Sequence, residues 1–81
     1  MIYLHELIQL VSYDKVVSTA REQICKFTSE KEMFKHCAAV SSGLETAGLA
    51  FNGNNAHRHF VYLTRELTED EVKFVFGEQT N

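Results

Sequence analysis

The sequence predicts a mainly α fold: one small helical domain of four to five helices spanning residues 1–81, with a β-hairpin over residues 48–64 as the α+β alternative. Three observations carry this. Met33, Cys37, Val40, Leu44, Ala47 and Phe51 recur at steps of four and three, the stripe of one long helix. Two Ser/Thr-x-x-Glu boxes, Ser29 with Glu32 and Thr68 with Glu71, mark helix starts. The chain contains no proline, which removes one strong helix breaker.

In chain order, Ile2 to Val11 sets Leu4, Leu7, Ile8 and Val11 at i, i+3, i+4 and i+7, with Tyr3 and Leu10 widening the apolar face. Ser12-Tyr13-Asp14 is the expected break. A second helix is expected from Tyr13 to Phe27, with Tyr13, Val17, Ala20, Ile24 and Phe27 inward and Lys15, Arg21, Glu22 and Lys26 outward. The short Thr28-Ser29 connection would make it an antiparallel neighbour of the third helix. That helix runs from Ser29 to Asn52, continuous across Gly43, and stops at Asn52-Gly53.

The segment after the Asn52–Asn55 loop reads two ways. His59, Val61 and Leu63 alternate with Phe60, Tyr62 and Thr64, as in a strand. Ala56, Phe60, Leu63 and Leu67 step as in a helix, which is the preferred reading. The last helix begins at Thr68, with Leu67 and Val72 placed for a hydrophobic staple, acidic residues at its positive end, and Gly77 as its stop.

At 81 residues the chain is read as a single domain. So small a domain buries only about 60–65% of its unfolded surface, so a partner subunit, a metal or a disulfide would add needed stability. The composition, 44% apolar and 23% charged, is that of a globular protein. Residues 1–40 balance five Lys/Arg against five Asp/Glu, and residues 41–81 carry three against six, which places the whole −3 there. That balance argues against backbone-driven nucleic-acid binding. No apolar run approaches the roughly 18 residues of a membrane span, and Ile2–Val11 lacks the flanks of a signal peptide. No membrane insertion is therefore expected, and a cytoplasmic location with free thiols is.

Chemical motifs are sparse. Cys25, Cys37, His5, His36, His57 and His59 are the candidate zinc ligands, but Cys25 and Cys37 are twelve residues apart, and His57-x-His59 has no acidic or thiol partner nearby. If Cys25 and Cys37 lay on adjacent antiparallel helices, they would be offset by roughly 7 Å along the axis, too far for a shared ion or disulfide. His36 and Cys37, adjacent on a helix, point about 100° apart and cannot easily act as a catalytic pair. No phosphate-loop, dinucleotide or nucleophile-elbow pattern occurs. The chain is therefore read as a non-enzyme, with no catalytic residues, no metal site and no cofactor.

The best functional class is a non-catalytic interaction module: an accessory regulator or inhibitor, of the kind phages and mobile elements encode, acting on a protein partner and forming a homodimer. Its expected partner surface is Arg58, His59, Phe60 and Tyr62, in a chain with more aromatics than a tiny core easily hides. The alternative is a helix-turn-helix-like DNA-binding regulator, built on three successive helices with Lys31, Lys35 and His36 near the start of the third. The cluster Glu66, Glu69, Asp70 and Glu71 is explained by the helix dipole.

Overall fold

A computed structural model describes residues 1–51 and 56–77. Three strands and two helices follow in the order β1 (Ile2–Ser12), β2 (Lys15–Phe27), α1 (Glu30–Phe51), β3 (Arg58–Glu66) and α2 (Glu69–Phe76). The strands form one antiparallel sheet in the order β2-β1-β3. This α+β architecture corrects the mainly α expectation and replaces the helical bundle. The segments expected to be the first two helices are strands, and residues 58–66 take the strand alternative. The proposed hairpin over residues 48–64 does not form either: α1 extends to Phe51, and β3 pairs with β1.

The reasons are physical. β1 is the central strand, so both of its faces are covered in part and its sequence reads as a nearly unbroken apolar run. Such a run cannot be told from a buried helix by period alone. Along β1 the partners on β2 jump from Arg21 to Thr19 and from Ser18 to Val16. Ala20 and Val17 are thus extra residues at bulges, and two bulges three residues apart erase the alternation that would mark a strand. Val17 and Ala20 are exposed, not inward.

The expected break at Ser12-Tyr13-Asp14 is a two-residue hairpin turn. Tyr13 and Asp14 both have positive φ, 51° and 63°, as the turn that matches strand twist requires. Tyr13 is not a residue that favours this conformation; its ring stacks on His57 at 4.3 Å and 7°.

α1 and α2 form where their caps predict. Glu32 N–H donates to Ser29 Oγ (3.3 Å), and the Glu32 carboxylate accepts from Thr28 N (3.3 Å) and Oγ1 (2.6 Å), one residue earlier than the box implies. α1 is continuous across Gly43. The expected stop at Asn52-Gly53 lies outside the described residues. At α2 both bonds of the Thr68–Glu71 box are present, and Gly77 closes the helix in the left-handed region at φ 66°. Val72, the inner partner of the staple, is buried.

Leu4, Glu6 and Ile8 of β1 face α1, and Tyr3 and His5 face α2. The α1 side is half-buried at Met33, Cys37, Val40, Leu44, Gly48 and Phe51, so Gly48 replaces Ala47 in the expected stripe. α2 docks by Tyr3 against Phe76 (5.0 Å) and by Leu67 N–H to the Tyr3 carbonyl (2.9 Å). Among the described residues the buried set is short: Tyr3, Leu4, Glu6, Ile8, Val11 and Val72, with none on α1. The molecule is a slab of 51 × 25 × 13 Å with a radius of gyration of 15.1 Å. A compact chain of this length would have about 12 Å. Among the described residues no helix is long and apolar enough to cross a membrane. No helix precedes α1, which removes the three-helix premise of the DNA-binding alternative.

Candidate functional site

The most buried side chain is a charged one. Glu6 stands mid-way along β1, 1% exposed, facing α1. Four side chains from three other elements reach its carboxylate. Gln23 of β2 donates to Oε1 at 2.8 Å and Arg21 of β2 at 3.4 Å. Tyr62 Oη of β3 donates to Oε2 at 2.7 Å, and His36 Nε2 of α1 donates to the same oxygen at 2.7 Å. Register explains the convergence: Gln23 is opposite Glu6 on β2, while Arg21 and Tyr62 are both opposite Ile8, one same-face step along.

Both cysteines border this cluster as free thiols. Cys25 Sγ lies 4.0 Å from His36 Nε2 and 3.4 Å from Gln23 Nε2, and Cys37 Sγ lies 3.6 Å from Tyr62 Oη. The helix-pair geometry expected for the cysteines fails because Cys25 is on a strand; the sheet carries it under α1 instead.

The electrostatics are coherent. Burial raises the Glu6 carboxyl, but the hydrogen bonds from Tyr62, His36 and Arg21 outweigh it and hold the group below the ordinary value. Burial and the neighbouring Glu6 charge push both the Cys25 thiol and the Tyr62 phenol up, so both keep their protons. A raised thiol is a poor nucleophile. Moreover, His36 uses one nitrogen, Nε2, toward both Cys25 and Glu6. A relay needs the thiol and the carboxylate on opposite nitrogens. This arrangement is therefore no Cys-His-Glu catalytic triad.

A second feature lies between α1 and β3. A groove of about 520 Å³ is lined by Ser41, Leu44, Glu45, Gly48 and Leu49 of α1 and His59, Phe60 and Tyr62 of β3. Three of the four residues expected at a partner surface are here. Phe60 packs on Phe51 (6.0 Å), half-buried; Tyr62 is tied to Glu6; His59 is exposed. The fourth, Arg58, lies at the start of β3 with its guanidinium 5.9 Å from the Phe51 ring and a buried Nε that has no hydrogen-bond partner among the described residues. Leu49 overhangs the groove at 80% exposure.

Among the described residues the outer edges of β2 and β3 have no strand neighbour. The chain exposes 5848 Å². A folded monomer of 9.3 kDa is expected to expose about 5,000 Å². The surplus, on the order of 800 Å², is what each partner contributes to a standard protein–protein interface.

No family model matches the chain, and the curated proteins and solved structures give no match either.

The Glu6 cluster escaped the sequence reading, although one signal was present. Glu6 is the single acidic residue in the run Ile2–Val11. An ionised group in a segment destined for the core must find partners.

Proposed function

We propose that the chain is a non-catalytic protein-interaction module, a small accessory regulator or inhibitor, and that its first partner is a second copy joined edge to edge through β3. The observation that carries this is the surplus of exposed surface on a slab-shaped chain with two free strand edges. Such surface is normal for half of an assembly.

Charge selects the edge. An antiparallel pairing of two β3 strands centred on Tyr62 sets Arg58 opposite Glu66 of the second copy, twice over. It also sets Phe60 opposite Thr64 and lays the two α1–β3 grooves side by side. The same operation on β2, centred on Arg21, puts two guanidiniums together and meets the bulges at Val17 and Ala20. β3 pairs regularly with β1 along its whole length, so its outer edge offers an unbroken ladder. Glu66 is exposed and has no ion-pair partner among the described residues.

The test is a charge swap read by light scattering after size exclusion. Arg58→Glu and Glu66→Arg should each give monomers, and an equimolar mixture should give heterodimers, because both 58–66 pairs are again opposite in sign. A wild-type chain that stays monomeric at high concentration, or a dimer indifferent to both substitutions, overturns the β3 pairing.

A further inference from the structure

The thin contact between α1 and the sheet is bridged by an unusual set of donors. Glu6, Cys25 and His36 each offer one ligand atom, and these atoms lie within 4.8 Å of one another. They come from β1, β2 and α1. We propose that Glu6, Cys25 and His36 form a binding site for zinc, with Cys37 as the fourth ligand. Nothing in the dimer reading requires it.

The donor chemistry selects the ion. A thiolate, an imidazole and a carboxylate together suit zinc, whereas magnesium and calcium take oxygen alone. Zinc bonds of 2.0–2.3 Å in a tetrahedron place neighbouring donors roughly 3.3–3.8 Å apart. Here the Glu6 Oε2–His36 Nε2 separation is 2.7 Å and the His36 Nε2–Cys25 Sγ separation is 4.0 Å. One must open and the other close, each by well under the length of a bond. Cys37, one residue on from His36, stands outside that 4.8 Å cluster; its Sγ lies 3.6 Å from Tyr62 Oη, which lies 2.7 Å from Glu6 Oε2, and it reaches the ion by a side-chain rotation.

The proton balance is explicit. His36 directs its Nε2–H at Glu6 in the metal-free arrangement; zinc takes the place of that hydrogen, and the neutral imidazole carries its one proton on Nδ1 instead. The Cys25 and Cys37 thiol protons leave to solvent as the two sulfur–zinc bonds form. One carboxylate and two thiolates against one dication leave a single negative charge, which faces Arg21 at 3.4 Å from Oε1. The outer hydrogen bonds are in place: Tyr62 and Gln23 on the carboxylate, and Gln23 on Cys25 Sγ. The ion would staple a 22-residue helix without one fully buried side chain to two strands of the sheet.

The experiment titrates reduced, chelator-treated protein with cobalt(II) as the spectroscopic stand-in, then displaces it with zinc. The expected result is one equivalent bound, with thiolate charge-transfer bands, tetrahedral ligand-field bands and a higher melting temperature with zinc. Cys25→Ser should lose about half the charge-transfer intensity and bind at least tenfold more weakly. His36→Asn should also bind at least tenfold more weakly, and His57→Asn should bind as wild type. Circular dichroism of each metal-free variant establishes that it is folded. Folded wild-type protein without thiolate bands, or bands at full intensity in Cys25→Ser, overturns the site. Full intensity in Cys37→Ser overturns the fourth ligand.

Discussion

His36 Nε2 lies 2.7 Å from Glu6 Oε2, so α1 is held to the central strand by a carboxylate that is 1% exposed. A buried charge so placed is stabilising only while its donors are complete, because each missing partner leaves part of the desolvation cost unmatched. Local stability in this slab therefore concentrates at a polar cluster and not at a broad apolar interior.

Removing the phenol tests this most cleanly. Tyr62→Phe deletes the hydroxyl that donates to Oε2 at 2.7 Å and leaves the ring in place. The expected loss is about 1.5–3 kcal/mol, the worth of a hydrogen bond to a charged group. Glu6→Ala, which strands His36, Tyr62 and Gln23 around a void, should cost more, about 3–5 kcal/mol. Urea midpoints at constant slope measure both.

Acid should loosen the fold. The Glu6 carboxyl is held below its ordinary value of 4.5 in the folded state, because its hydrogen bonds outweigh desolvation. Glu71 is held down to about 2, first by its hydrogen bond from Arg65, at 2.7–2.8 Å. Groups lowered in the folded state bind fewer protons there than in the unfolded chain, so their stabilisation is complete above pH 4.5. It is lost as pH falls through the folded values. Chemical denaturation from pH 6 down to 2.5 should show this decline. The gap between wild type and Tyr62→Phe should narrow toward the acid end.

The short helix depends on its cap and one anchor. Thr68→Ala removes the side chain that accepts from Glu71 N–H and should cost about 1 kcal/mol. Val72→Ala hollows the contact of a residue that is 3% exposed and should cost about 2 kcal/mol. Hydrogen exchange should place both losses first in residues 69–76.

The hairpin turn carries removable strain. Asp14 sits at φ 63°, where a residue with a Cβ is disfavoured by about 1–2 kcal/mol and glycine is not. Asp14→Gly should raise stability by about 0.5–1 kcal/mol in thermal melts, after the greater flexibility of glycine in the unfolded chain is offset.

Helices were legible in this sequence where the signal was local. Ser29 with Glu32, and Thr68 with Glu71, state their geometry within four residues, and both helices start there. Strands were not, because their signal is tertiary. Leu4, Leu7, Ile8 and Val11 match a helical face only because β1 is covered on both sides. Val17 and Ala20 imitate helical spacing because they are bulge residues. The candidate site was hidden for the same reason. Glu6, Cys25, His36 and Tyr62 are far apart in sequence, and only the order β2-β1-β3 with α1 above brings them together. His59, Phe60 and Tyr62 share one cleft with α1 because β3 brings them there together.

The sheet order also fixes a timetable for synthesis. The strand translated earliest of the three is the one that needs two flanking partners. Its first partner, β2, emerges directly behind it, but its second, β3, is not complete until residue 66. A nascent chain that has left the ribosome only as far as α1 therefore displays an open backbone ladder at Leu4–Ser12, the segment on which misassembly and chaperone capture would act.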